Sequence, residues 1–342
     1  MERGRFERMS RIPALRTFAL AATVALLLST GVAAATGDSD LDGIPDDVEA
    51  ATARNVVVHD SPGGFVIRSR SQGAPLEDAY EVGYSDGTLT VEYFPKASES
   101  QSVSYQLEFR RILEVYSDGG EWKEAGRFDI PADYSGVLES EVPTVDGETA
   151  IVYTMTTVSG MFTVTLRSVP RFALVTGDRL LSPMEMKVDV EIRGWTYTRS
   201  DSRLALQVEI NSTSLPRVDE SSDDERAGWA TDEAAVTVAS GANSLFFSWD
   251  KTATVDGVAT PVEVTPLEPS GGRYEMNFVY GRGAVIVHDP KVGAVSNAFW
   301  SIWSQPRSTP PAFDAAFYVI GIGVAAGLVG TTVLLRRRRR ED

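Results

Sequence analysis

The chain has 342 residues, with 32 Lys and Arg against 48 Asp and Glu, a formal net charge of −16, and 43% hydrophobic residues. That is ample material for a buried core in one large or two ordinary domains, and the acidic balance argues against nucleic acid as a partner, because phosphate binding needs clustered Lys and Arg. The absence of cysteine, with only His59 and His288 as histidines, removes disulfides, thiolate zinc sites, Cys nucleophiles and most His-based metal or triad chemistry.

Residues 1–35 read as a secretory signal. Arg3, Arg5, Arg8, Arg11 and Arg16 form a basic start, Phe18–Leu28 is apolar but short for a bilayer, and Ala33-Ala34-Ala35 supplies small residues for cleavage.

The strongest motif follows in the 36–55 segment: Asp38-Ser39-Asp40-Leu41-Asp42-Gly43-Ile44-Pro45-Asp46-Asp47-Val48-Glu49. Oxygen ligands at loop positions 1, 3, 5, 9 and 12, with Gly at position 6 for the sharp turn, are the spacing of a calcium loop. The expected ligands are carboxylates of Asp38, Asp40 and Asp42, the backbone carbonyl of Ile44, a water-mediated contact from Asp46 and both oxygens of Glu49. The loop resembles those of thrombospondin type 3 and dockerin repeats. Asp46 and Glu49 also fit a capping box for a short helix running to about Arg54. Pro45 has no N–H with which to pair to a sister loop, so a solitary structural loop is expected.

Residues 56–303 are dominated by period-two alternation, which predicts an all-β, antiparallel β-sandwich of about 12 to 14 strands. Met184, Met186, Val188, Val190 and Ile192 alternate with charged residues, as Leu204–Ile210 and Val103–Phe109 do with polar ones. Further strands are expected over 64–69, 88–94, 148–157, 161–169, 234–239, 244–250, 252–264 and 273–288. Asp86-Gly87, Asp118-Gly119, Asp146-Gly147 and Asp256-Gly257 supply hairpin turns. The acidic stretch 215–232 is either a solvated loop or a break between two lobes. Asn211-Ser212-Thr213 is an N-glycosylation sequon. The strings Val56-Val57-Val58-His59-Asp60 and Val285-Ile286-Val287-His288-Asp289 are either coincidental or mark neighbouring first and last strands, whose His-Asp pairs would then form a weak transition-metal site.

Residues 304–314 are Pro-rich and read as a stiff stalk. Phe299, Trp300 and Trp303 ahead of it are either a membrane-interface belt or the last packed element of the domain. Ala315–Leu335 is uncharged and long enough to cross a bilayer, with Gly323 and Gly327 as a GxxxG pair. Arg336–Arg340, in the 336–342 tail, place that tail in the cytoplasm and the N-terminal domain outside. Pro311-Ala312-Phe313, the apolar run and the Arg cluster together resemble the sorting signal of archaeal surface proteins processed by archaeosortase, with Ala where that pattern has Gly; the span is then either retained or removed. Residues 36–335 hold 22 basic against 44 acidic residues, and only five of the chain's basic residues are Lys. Such a surface suits high salt and fits a halophilic archaeal source, though a GC-rich genome would also favour Arg over Lys. The stretch Phe247–Val258 resembles membrane-anchored archaeal surface proteins.

No nucleophile elbow, paired zinc histidines or phosphate loop is present, so no catalytic residue is assigned. The expectation is a calcium-binding surface protein on a single span, serving structure or adhesion, with surface-layer proteins or glycans as partners besides the membrane. The alternatives are an extracellular hydrolase of polysaccharide or peptide, and a glycan-binding module.

Overall fold

The computed structural model describes residues 38–299, apart from positions 41, 43, 62, 72–77, 96–101, 133, 177–178, 215, 220–232, 267–271 and 297–298. The expected signal peptide, stalk, transmembrane span and basic tail, with Trp300 and Trp303, lie outside the described residues. Among the described residues no helix is long and apolar enough to cross a membrane. Asp40–Ser304 forms one compact unit, and the strands on both sides of the 215–232 stretch belong to it.

One short helix, α1 (Asp46–Thr52), precedes the strands. The first strands are β1 (Arg54–Ser61), β2 (Gly64–Ser71), β3 (Asp78–Ser85), β4 (Thr88–Pro95), β5 (Val103–Asp118) and β6 (Glu121–Asp129). Then come β7 (Tyr134–Pro143), β8 (Thr149–Thr157), β9 (Phe162–Ser168), β10 (Ala173–Thr176), β11 (Arg179–Leu181) and β12 (Glu185–Arg193). They are followed by β13 (Arg203–Ser212), β14 (Arg217–Asp219), β15 (Glu233–Ser240), β16 (Asn243–Asp250) and β17 (Thr252–Val255). The last are β18 (Val258–Pro261), β19 (Glu263–Pro266), β20 (Arg273–Val279), β21 (Val285–His288) and β22 (Lys291–Val295).

The described residues thus hold 22 strands where the alternation suggests 12 to 14. The expected run 252–264 is three short strands, because Asp256 and Gly257 both take positive φ and fold β17 back onto β18. Asp86-Gly87 does the same between β3 and β4. At Asp118 the turn moves one residue on, to Gly119-Gly120, which carry the positive φ values.

The first sheet runs β1-β2-β3-β4-β5-β13-β20-β19. Its axis is β5, sixteen residues long, with β13 along one edge and the other edge divided between β4 and β6. Between β5 and β13, Phe109 faces Val208 and Arg111 faces Gln207, so Arg110 is an extra residue. This bulge resets the alternation, and Ile112 rather than Arg111 enters the core.

The second sheet runs β7-β8-β9-β12 and then divides. β21 and β22 lie on one edge of β12 in a single register, broken at Asp289-Pro290 where proline has no N–H to give. Val188 N–H still donates to the Pro290 carbonyl at 2.8 Å. Beyond them, β17 pairs with β21 and β16 with β22. All pairings are antiparallel, and the apolar faces of the two sheets meet in one core. Tyr105 from β5 crosses it to donate its hydroxyl to the Phe246 carbonyl of β16 at 2.8 Å. Phe299 is also in the core, 6.1 Å from the ring of Phe172, so it is a packed residue and not part of an interfacial belt.

The two histidines do not meet as neighbouring strands. β1 pairs with β2 in the first sheet, whereas β21 belongs to the second. His59 is exposed and His288 buried. Between Ser248 facing Lys291 and Thr254 facing Val287, one strand advances six residues while the other retreats four, leaving a bulge at Asp250-Lys251. The His288 ring fills that bulge. Its Nε2 lies 2.9 Å from the Asp250 carbonyl, to which it can only donate, and Nδ1 lies 3.2 Å from the Tyr280 hydroxyl. Both nitrogens are therefore used in the fold, which removes the transition-metal reading. The same Asp250 carboxyl is raised to about 6, first by burial, against Arg179 and together with Glu233 and Asp289.

Burial lowers the His288 pKa to about 4. A base with a lowered folded pKa stabilises the fold above its unfolded value, near 6.5, and loses that contribution as pH falls toward 4. Acidification from pH 6.5 to 4 should cost about 3 kcal/mol through this residue. In urea titrations across that window, His288→Gln should remove this component, leaving the opposite, acid-stabilising trend of Asp250. An unchanged pH slope in the variant would contradict the assignment.

Candidate metal centre

The loop ahead of α1 is organised by its own aspartates. Asp42 N–H donates to Asp40 Oδ1 at 3.4 Å, and Ile44 N–H donates to Asp42 Oδ1 at 2.7 Å. Short acidic side chains thus take the place of sheet partners for a curled backbone. The turn they make points the Ile44 side chain inward, where it is 3% exposed and joins the sandwich core.

The capping box is not formed. Pro45 is the N-cap residue, with φ −64° and ψ 138°, and no side chain caps the helix. Its carbonyl accepts the Val48 and Glu49 N–H groups at 2.9 and 3.0 Å. With Pro45 in that position, Asp46 becomes the first helical residue and Glu49 turns inward instead of reaching back. The helix ends at Thr52, not Arg54, because Arg54 opens β1 and its N–H donates to the Pro170 carbonyl at 2.8 Å.

Arg54 fixes this segment to the sandwich. Its side chain is fully buried, 2.8 Å from Asp78, and its Nε donates to Ser69 Oγ at 3.0 Å. Tyr93 donates to the other Asp78 oxygen at 2.8 Å, and Ser69 Oγ donates to the Pro183 carbonyl at 2.9 Å. A buried charge this well paired is costly to disturb, since removing one member strands the other.

Of the six expected ligands, Asp38, Asp40 and Asp42 come together, each offering one oxygen within 4.8 Å of the others. Asp46 is exposed on the helix and stands outside that group. Ile44 contributes its place in the chain, its side chain being committed to the core. Glu49 stands outside that group but close to Asp40 and Asp42, 7% exposed, and its Oε1 has no hydrogen-bond partner among the described residues. Burial raises its pKa to about 7, with further contributions from Asp40, Asp42 and Glu148, opposed by Arg171. Hard oxygen donors at this density, including a buried carboxylate oxygen with no donor facing it, fit a hard divalent cation such as calcium. Glu148, between β7 and β8, and Arg171, after β9, had no sequence signal, because only the fold brings them to the loop.

Other buried carboxylates are matched within the fold. Glu114 is 0% exposed at a β5 bulge and accepts from the Thr198 and Arg199 N–H groups and the Thr198 and Ser202 hydroxyls. Burial alone would raise its pKa, but these donors prevail and hold it at about 2. Glu233 pairs with Arg179 at 2.7 Å and Lys291 at 3.2 Å, while Asp189 pairs with Lys187 at 2.6 Å. Asn211 of the sequon donates to Glu209 at 2.7 Å near the end of β13.

No protein-family profile matches this chain, and no curated protein does.

A carboxyl whose folded pKa is raised stabilises the fold when protonated, and that contribution is lost as pH rises through about 7. In calcium-free buffer at pH 8, Glu49→Gln should therefore stabilise the protein by about 1–3 kcal/mol. The gain should vanish below pH 4.5, where glutamate is protonated folded or unfolded. Equal urea midpoints for variant and parent at pH 8 would show that Glu49 is not held among like charges.

Proposed function

We propose that this chain is a calcium-stabilised cell-surface protein whose β-sandwich serves structure or adhesion, held by a single C-terminal span with the sandwich outside the cell. The observation that carries the calcium part is Glu49, a buried carboxylate beside Asp40 and Asp42 with an oxygen that meets no hydrogen-bond donor among the described residues. In this reading Asp38, Asp40, Asp42 and Glu49 supply carboxylate oxygens, the Ile44 carbonyl adds a neutral one, and Asp46 acts through water. Bound calcium supplies the positive charge that lets these carboxylates stay ionised together. The chain's own residues do the rest. The Asp40 and Asp42 side chains hold the turn, Ile44 fastens it to the core, and the buried Arg54–Asp78 pair anchors the strand that follows.

The membrane part rests on the uncharged Ala315–Leu335 run followed by five arginines. A solitary loop suits permanent structure. Its affinity belongs to the extracellular class, on the order of 10⁻⁴ to 10⁻³ M, so at about 1 mM calcium roughly half to nine-tenths of the sites are filled.

The test is calorimetric titration of calcium into the protein and into an Asp40→Asn, Asp42→Asn double variant. Asparagine keeps the Oδ1 acceptors that form the turns while removing both charges. Calcium binding should be lost in the double variant. Undiminished binding would refute the site.

A further inference from the structure

A groove of about 230 Å³ opens between the two sheets, at the end where β2, β3 and the β3–β4 turn face β7 and β8. Tyr84, Tyr134 and Tyr153 wall it, Gly64 and Gly136 floor it, and Asp86 stands in its lining. We propose that this groove binds an organic cation, an alkylammonium group seated against the tyrosine rings with Asp86 as its counter-charge.

The walls have the geometry that such a group requires. The Tyr84 and Tyr134 rings stand at 90° with centroids 5.6 Å apart, making a corner, and Phe65 backs the groove with its ring 5.7 Å from Tyr84 and 4.0 Å from Tyr153. A cation within about 6 Å of aromatic centroids is attracted by their negative faces, more strongly where water is excluded. Glycine lets the walls approach this closely. A Cβ at Gly136 would collide with the Tyr153 hydroxyl, and one at Gly64 with the Tyr84 carbonyl oxygen. Tyr84 is itself held in place, its hydroxyl donating to the Ala132 carbonyl at 2.6 Å.

The one charged residue among the described lining residues, Asp86, is acidic, and the nearby Glu108 is paired with Arg110 at 3.3 Å. Asp60 lies 3.4 Å from the Tyr153 hydroxyl, and Glu108 is close enough to Tyr134 to add to its raised pKa, after burial and Tyr84. No described lining residue is basic. Burial raises the pKa of the Tyr134 and Tyr153 hydroxyls, and a chain with net charge −16 adds a long-range pull on cations. An anionic ligand is disfavoured on every count. A neutral sugar would gain the rings but nothing from this field.

The experiment titrates the full chain, in non-ionic detergent, with tetramethylammonium, choline, Nα-acetyl-lysine amide, the uncharged isostere 3,3-dimethylbutanol and a methyl glycoside, followed by NMR shifts of the tyrosine rings. The cations should bind and the isostere at least about tenfold more weakly. Tighter binding of the lysine amide identifies a protein side chain as the source of the cation, and tighter binding of choline a free small molecule; both outcomes bear the proposal out. Tyr134→Ala should weaken cation binding about tenfold and Tyr134→Phe less than about twofold, since the ring and not the hydroxyl is needed. Asp86→Asn should weaken it about threefold. Asp86 sits at φ 51°, which asparagine adopts readily, so that variant folds like the parent. Equal binding of the isostere, binding of the glycoside alone, or full cation affinity in both Tyr134→Ala and Asp86→Asn would overturn the proposal.

Discussion

Burial of one face of each sheet against the other is the constraint from which the remaining features follow. Phe162, Val164 and Leu166 of β9, Met186 to Ile192 of β12 and Leu204 to Ile210 of β13 all turn alternate side chains into one core. Each large apolar side chain so placed contributes about 1.5–3 kcal/mol. A slip of one residue would exchange the faces and forfeit that gain, so registers are fixed along the long strands. Where the sequence breaks alternation, the backbone yields instead. Arg110 is bulged out so that Ile112 can enter, and the bulge at Asp250-Lys251 is filled by His288.

Two charged groups caught inside this packing, Glu114 and Arg54, are bonded closely. Glu114 meets two backbone and two hydroxyl donors from the 198–202 loop, and Arg54 meets Asp78 and Ser69. Both tie distant segments together. Glu49 is the contrast: also buried, yet with an oxygen that has no hydrogen-bond partner among the described residues and with aspartates for neighbours. That difference is what the calcium proposal rests on.

Much of the fold was legible in the sequence because its signals are local. Alternation at 184–192 and the Asp86-Gly87 and Asp256-Gly257 turns are short-range facts, and the structure keeps them. The short strands β10, β11 and β14 were not legible, since three or four residues carry too little pattern. The Asp38–Asp42 cluster was readable from spacing, but the fate of Glu49 was not. A capping box and an inward carboxylate look alike until Pro45 is seen to occupy the N-cap. The two His-Asp strings are the coincidence that one of their two readings expected, since similar local sequence says nothing about which sheet a strand joins. The tyrosine groove is the least legible feature, because Tyr84, Tyr134 and Tyr153 share no spacing and meet only across the sandwich.

The central claim is that calcium sets the structure of the loop joining Asp40 to the β1 strand. Hydrogen–deuterium exchange across residues 40–54, with and without millimolar calcium, tests it most directly. Calcium should slow exchange at the amides of 42–52 while leaving β12 and β13 unchanged, since those strands are held by the core alone. Equal exchange in the loop under both conditions would contradict it.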